Sequence, residues 1–204
     1  MSIASIKAEV SKWPSGKSAA YCEKQIHSIP EGPVVDRERF ILDRVRGKSV
    51  LEFGASGPMS LAIRKVASSY LGVDRSDGDG VVGYNLDDCA PGGHVYPWAL
   101  RHPEVIVCGE VIEHLSNPGY FLEAVSGFCR GVPVIITVPN AFSEANQQWL
   151  RRGQENVNRD HVAWYSPRTL KTLLERAGYR ISYLAWYKGQ PVTAEGIIVI
   201  AESA

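Results

Sequence analysis

The sequence predicts an α/β fold: a mostly parallel sheet with helices on both faces and an antiparallel hairpin at its C-terminal end. Three observations carry this. Short apolar runs of strand length alternate with helical patterns, the order that lays helices on the faces of a parallel sheet. The last two apolar runs are joined by a short segment containing Lys188-Gly189-Gln190-Pro191, a hairpin connection rather than a crossover. The chain has 204 residues, 45% hydrophobic and 22% charged, enough for one core and unlike a disordered tail or a fibrous repeat.

The elements follow in order. Residues 1–46 are amphipathic and broken by Pro14-Ser15-Gly16 and Ile29-Pro30-Glu31-Gly32-Pro33. They are expected to form two or three helices outside the sheet, a lid containing Trp13 and Tyr21 over a core of residues 47–204. Ser49 to Phe53 is a buried strand, Gly54 to Gly57 a turn, and Pro58 sits at the first position of a helix running to about Ser68. Tyr70 to Asp74, Val81 to Leu86, Glu104 to Gly109 and Val132 to Val138 read as the next four strands, with a helix from Pro118 to Arg130 between the last two. Helices are expected near Glu144 to Arg152 and Pro167 to Ala177, and the hairpin strands at Tyr179 to Tyr187 and Gly196 to Glu202.

Charge and composition exclude several classes. The 22 basic residues balance the 22 acidic ones, which argues against extended binding to a phosphate backbone. The balance hides an asymmetry: Asp74 to Glu113 holds eight acids and two bases, and Arg151 to Lys188 eight bases and three acids. The basic half is expected to face an anionic or polyhydroxylated substrate. The longest apolar runs, Tyr183 to Tyr187 and Ile197 to Ala201, are five residues, far below the roughly 20 of a membrane span. Lys7, Glu9 and Lys12 interrupt the start of the chain where a secretory signal would be apolar. Cys22, Cys89, Cys108 and Cys129 lack metal-site or paired spacing. A cytoplasmic protein with reduced thiols is expected. Gly16-Lys17-Ser18 mimics the end of a P-loop, but position 11 is Ser and no strand precedes it.

Chemistry concentrates at the ends of the expected strands. Glu52-Phe53-Gly54-Ala55-Ser56-Gly57-Pro58 follows a strand and opens a helix, a context in which a turn brings backbone N–H groups close to a ligand or is simply structural. Asp74 ends the next strand, where a carboxylate can accept both ribose hydroxyls of an adenosine, and Arg75 follows it. Gly109-Glu110-Val111-Ile112-Glu113-His114-Leu115 is the densest group. A helical backbone there would place Glu110, Glu113 and His114 on one face; the plainer reading is carboxylates favouring a helix N-terminus and a packed histidine.

Five α/β strands closed by a hairpin, with the acidic residue and glycine turn at 52–58, resemble class I S-adenosylmethionine (SAM)-dependent methyltransferases. Gly54 keeps the family's acidic-x-G-x-G-x-G pattern, whereas Ser56 and Pro58 replace the later glycines and Gly57 supplies freedom between them. The resemblance implies SAM as cofactor, held by Glu52, Gly54, Ser56, Gly57, Asp74, Arg75 and Glu110, with Asn85, Leu86 and Asp87 near the adenine.

A distant segment extends the match. The E-V-I-E-H of 110–114, Pro139-Asn140 after the next strand, and Asp160-His161 before Trp164 and Tyr165 resemble a metal-assisted branch of SAM O-methyltransferases. That branch includes enzymes that methylate the terminal ribose of small RNAs, and the ubiquinone-pathway O-methyltransferases are similar. Carried over by position, Glu110, Glu113, His114 and His161 would hold a divalent cation. Imidazoles favour Mn²⁺ or Fe²⁺ over Mg²⁺. Without a metal, His161 or His114 would be the general base. The RNA-end enzymes carry an aromatic-acidic-Trp triplet where this chain has Val162-Ala163-Trp164, and residues 165–179 resemble small-molecule members instead. The expected activity is methyl transfer to a hydroxyl of a small-molecule acceptor such as a sugar or phenol, with Asn140, Trp164 and Tyr165 lining its pocket. The alternatives are an RNA-end 2′-O-methyltransferase and a catalytically silent SAM-binding module.

Overall fold

A computed structural model describes residues 26–90, 96, 98 and 102–203. Among them are eight strands: β1 (Val34–Val35), β2 (Ser49–Phe53), β3 (Ser69–Asp74), β4 (Val81–Gly83), β5 (Val105–Gly109), β6 (Val134–Pro139), β7 (Tyr179–Tyr187) and β8 (Gly196–Ser203). They form one sheet in the order β1-β7-β8-β6-β5-β2-β3-β4. Every neighbouring pair is parallel except β6 with β8 and β7 with β8, so the expected antiparallel hairpin closes an otherwise parallel sheet.

Alternation along the strands feeds two cores. Leu51, Phe53, Ile106, Cys108, Ile136 and Val138 point to one face, where they meet helix α3 (Pro118–Phe128) through Phe121, Leu122 and Val125, and helix α5 (Pro167–Arg176) through Leu170 and Leu174. Val50, Val105, Val107 and Ile135 point to the other and meet helix α1 (Arg37–Val45) through Phe40, Ile41 and Val45, and helix α2 (Gly57–Val66) through Ile63. A fifth helix, α4 (Glu144–Leu150), buries no residue. The period-2 pattern of the strands and the 3.6 period of the helices therefore agree on which side chains leave water. Helix ends obey local chemistry: Asp36 caps α1 by accepting from the Arg39 N–H at 2.7 Å, and Ser166 and Thr169 form a reciprocal capping box on α5.

Two elements differ from the expectation. The part of residues 1–46 that the structure describes does not lie outside the sheet. Val34 and Val35 pair with Trp186 and Tyr187 as an edge strand, and α1 packs into the core. Pro33 lacks an N–H, which an edge tolerates, and its carbonyl accepts from Trp186 N at 2.9 Å. The helices expected around Trp13 and Tyr21 lie outside the described residues, as does Cys22; Cys89, Cys108 and Cys129 are free thiols in the core. The third strand stops at Gly83 rather than Leu86. The Gly83 N–H is bound by the Asp77 carboxylate at 2.8 Å, and Asn85 accepts from the Asp87 N–H to open a single 3₁₀ turn over Leu86–Asp88. No described helix is long and apolar enough to cross a membrane.

Candidate functional site

The strand order reverses between β2 and β5: β3 and β4 extend one way, β6 and the hairpin the other. Open α/β sheets bind ligands in the crevice at the carboxyl ends of the strands flanking such a point. A cavity of about 530 Å³ occupies it. Glu52, Gly54, Ser56, Asp74, Arg75, Asn85, Leu86, Glu110 and His114 all line it. Gly54 has φ +75°, and a Cβ there would run into the side chain of Val111, so the turn between β2 and α2 requires glycine. Two expected cofactor residues stand elsewhere. Gly57 faces a separate small cavity with Ser60 and Arg64, on the outer side of the turn. Asp87 is used structurally, its carboxylate accepting the Ser116 N–H at 2.7 Å.

Glu52 lies beneath the turn, buried, its carboxylate accepting from Ser60 Oγ at 3.0 Å and from the Tyr70 hydroxyl at 2.6 Å. Burial raises its pKa to about 7, outweighing those two hydrogen bonds and the nearby Arg37 charge. Asp74 is partly exposed at the end of β3, with one oxygen accepting the Arg75 N–H at 2.6 Å.

Arg37 was not singled out by the sequence. It opens α1, and the packing of that helix against the sheet carries its guanidinium over the end of β5, against Gly109. There it lines the same cavity. Its Nε donates to Thr137 Oγ1 at 3.1 Å, Thr137 donates to Glu110 Oε1 at 2.8 Å, and the Tyr187 hydroxyl donates to that same oxygen at 2.7 Å. The chain thus links α1, β6, β5 and the hairpin. The only sequence signal was a lone arginine just after an Asp that caps a helix, and nothing local distinguishes it from a solvated one.

Beyond Gly109 the backbone does not turn helical at once. Glu110 has φ +58°, and only Ile112–His114 forms a 3₁₀ turn. Glu110 therefore leaves the common face expected of it, and its Oε1 is taken by Thr137 and Tyr187. Glu113, His114 and His161 do come together: one ligand atom from each lies within 4.8 Å of the others. Glu113 is 1% exposed and neither carboxylate oxygen has a hydrogen-bond partner. Its pKa is raised to about 8, by burial first and by the neighbouring Glu110 second. The two imidazoles stand edge to face with centroids 4.5 Å apart. His161 is pushed below its ordinary value by desolvation and by His114. The Asp160 carbonyl can only accept, so the 3.2 Å contact makes His114 Nδ1 the donor and leaves Nε2 outside that bond. The Glu113 carbonyl accepts from both Val162 N, at 2.8 Å, and Ala163 N, at 3.2 Å, which seats the His161 segment against the 3₁₀ turn.

A second cavity of about 330 Å³ contains His161 and Trp164. The other two residues expected in an acceptor pocket line neither cavity. Asn140 is 0% exposed, its Nδ2 donating to the Val192 and Ala194 carbonyls and its Oδ1 accepting the Phe142 N–H; it pins the loop between the hairpin strands. Tyr165 is buried and donates to the Ile112 carbonyl at 3.3 Å, a prop beneath the 3₁₀ turn. None of the basic residues between Arg151 and Lys188 lines either cavity, although Arg159 and Lys188 pair with Asp160 and Glu195, which do.

The comparisons with known proteins agree with this geometry. No curated protein sequence matches the chain. Among solved structures, it is similar to the small RNA methyltransferase HEN1, with a TM-score of 0.64 and 18% identity over 89% of this chain. It spans only 27% of that protein's length. It is also similar to a SAM-dependent methyltransferase from Archaeoglobus fulgidus, with a TM-score of 0.59 and 16% identity over 82% of this chain and 91% of that one. The magnesium protoporphyrin IX methyltransferase of Synechocystis gives a TM-score of 0.59 at 10% identity, with 82% of each chain covered. These likenesses concern the fold. Residues 31–184 match the family model described as a methyltransferase domain. The chain belongs to that methyltransferase domain family and carries the class I fold of SAM-dependent methyltransferases.

Proposed function

We propose that this protein transfers the methyl group of SAM to a hydroxyl of a small-molecule acceptor, with a divalent cation at Glu113, His114 and His161. The observation that carries the reading is the buried Glu113 carboxylate, both oxygens without a hydrogen-bond partner, beside two imidazoles whose donor atoms lie within 4.8 Å. A buried carboxylate left unpaired is costly, and a cation removes that cost. One carboxylate and two imidazoles suit Mn²⁺ or Fe²⁺ better than Mg²⁺. When bound, such an ion supplies Lewis acidity that lowers the pKa of an acceptor hydroxyl.

The cavity suits SAM at both ends. Arg37 faces the crevice beside Gly109 and can take the carboxylate of the methionine part, while Glu52 lies below the Gly54 turn near its ammonium. At the end of β3, the neighbour of β2, Asp74 can accept the ribose hydroxyls, and Asn85 and Leu86 can border the adenine. SAM contributes an electrophilic methyl on sulfonium. The acceptor oxygen attacks that carbon in line; its bond to carbon forms as the carbon–sulfur bond breaks, the sulfur keeps the electron pair, and the hydroxyl proton leaves to water. The protein's part is to position the two reactants and to keep bulk water out.

A second reading, with the 2′-hydroxyl of an RNA end as acceptor, is favoured by the spacing of Glu110, Glu113, His114 and His161. Calorimetry with SAM and with S-adenosylhomocysteine, followed by methylation assays with and without a chelator, tests both. Micromolar binding and chelator-sensitive methylation of a hydroxylated small molecule is expected. A protein that binds neither nucleoside refutes the proposal. Chelator-insensitive turnover would leave His161 as the general base, and methylation confined to a short RNA duplex would establish the second reading.

A further inference from the structure

The two cavities meet at the histidine pair, His114 on the wall of the first and His161 on the wall of the second. We propose that the second cavity is the acceptor subsite and that it takes a carbohydrate ring, presenting one ring hydroxyl to the cluster at Glu113, His114 and His161. This rests on the O-methyl-transfer reading given above and adds the acceptor's chemical class.

The lining selects that class. Ser143, Asn146, Asn156, Asn158 and Glu195 supply the polar wall, and among the described residues no Lys or Arg lines it. A phosphorylated acceptor or an RNA end brings charge that calls for such cations, whereas neighbouring sugar hydroxyls each need a donor and an acceptor. The amides are arranged to offer both. Asn146 is spent internally, its Nδ2 on the Asn140 carbonyl at 3.1 Å and its Oδ1 on Asn156 Nδ2 at 3.0 Å. That orients Asn156 with Oδ1 left to accept. Asn158 uses Oδ1 to hold the Asp160 N–H at 3.3 Å, which leaves its Nδ2 to donate. Glu195 is fixed through its main chain, its N–H on the Lys188 carbonyl and its carbonyl on the Asn140 N–H, each at 2.8 Å. Its carboxylate, exposed at the rim, is paired through Oε2 with Lys188 Nζ at 3.4 Å, which neutralises that cation and leaves Oε1 to accept a hydroxyl. Trp164, 38% exposed, gives the wall an indole surface on which the C–H face of a sugar ring can lie. A plain phenol would use the indole and waste the amides.

The transfer balances as before: a ring hydroxyl oxygen forms the bond to the methyl carbon, sulfur departs with the electron pair, and the proton goes to water, leaving a methyl ether and S-adenosylhomocysteine.

The test is saturation-transfer difference NMR on protein loaded with S-adenosylhomocysteine, using methyl glycosides of glucose, galactose, mannose and rhamnose. The variants are Asn158→Asp, which keeps the bond to Asp160 and removes the donor, and Trp164→Ala, with Trp164→Phe as the conservative partner. At least one glycoside is expected to bind, about ten-fold more weakly in Asn158→Asp and Trp164→Ala, with partial recovery in Trp164→Phe. No binding by any of the four, or equal binding by every folded variant, overturns the proposal. The companion methylation assay separates the two readings. A glycoside bound but never methylated sinks the O-methyl-transfer reading and leaves the subsite. Catechols methylated by a protein that binds no glycoside sinks the carbohydrate subsite and leaves the transfer reading.

Discussion

Glu113→Gln isolates the cost of the buried carboxylate in the metal-free protein. With a pKa of about 8 folded against an ordinary value of 4.5, the native state holds a proton on Glu113 that the unfolded chain has already released above pH 4.5. A native state that binds more protons loses stability as pH rises. Below pH 4.5 the group costs nothing, the penalty grows between there and about pH 8, and above that it is constant. Over the interval from pH 5 to pH 8 it amounts to roughly 3 kcal/mol. Glutamine has the same shape and no proton to lose. Glu52 also titrates abnormally, but it is common to both proteins and cancels. The assay is thermal unfolding of both proteins after EDTA treatment and gel filtration, at pH 5 and pH 8. For a chain of this size a kcal/mol moves Tm by about 2–4 °C. The wild type minus Glu113→Gln difference is therefore expected to shift against the wild type by about 6–12 °C between the two pH values. A constant cost of the unpaired glutamine amide does not affect this double difference. Adding Mn²⁺ at pH 8 is expected to restore the wild type and leave Glu113→Gln unmoved. If the two proteins keep the same Tm difference at both pH values, Glu113 is not a desolvated carboxylate and the cation argument loses its basis.

Three further outcomes follow from the same geometry. Asp74→Ala removes the carboxylate proposed to accept the ribose hydroxyls and is expected to weaken SAM binding by about 2–3 kcal/mol, on the order of a hundred-fold in Kd by calorimetry, with an unchanged melting curve. Arg37→Gln is expected to weaken SAM by on the order of ten-fold or more while adenosine binds as before; equal loss for both ligands would mean that Arg37 acts through the fold rather than on the methionine carboxylate. Gly54→Ala places a side chain at φ +75° against Val111 and is expected to lower the urea-unfolding free energy by at least about 2 kcal/mol and to abolish SAM binding; a variant of normal stability would show that the turn tolerates a Cβ.

What could be read in the sequence is what local pattern decides. The strands at Ser49–Phe53 and Val105–Gly109 are apolar runs bounded by turn residues, and Pro58 marks the start of α2 as it would in any chain. The two valines of β1 are too few to form a pattern, and what makes them a strand is the exposed edge of β7, whose partner residues lie 152 positions on. The cluster at Glu113, His114 and His161 was legible from residue types and spacing. Glu110 was misplaced because the helix face presumed for it depends on backbone angles, and a left-handed residue at the end of β5 interrupts that face. Asn140 and Tyr165 illustrate a different limit. A polar or aromatic residue next to a site looks like a ligand until its partners are known, and theirs are main-chain groups at Val192, Ala194 and Ile112, supplied by distant segments. Arg37 was hidden for the converse reason: its neighbours in sequence are ordinary, and only the docking of α1 gives it a site.

The double acceptance of Val162 and Ala163 by the single carbonyl of Glu113 has an evolutionary meaning. The histidine pair is gauged by main-chain atoms of Glu113, Val162 and Ala163 rather than by side chains of the intervening residues 141–157. Those residues build much of the second cavity's wall. If that cavity takes the acceptor, as proposed, its preference can drift by substitution there while the histidine pair keeps its main-chain anchor. On the proposed reading, one scaffold can be retuned to new acceptors through residues 141–157 while Asn158, whose carbonyl holds the His161 N–H at 3.0 Å, stays with the reacting pair.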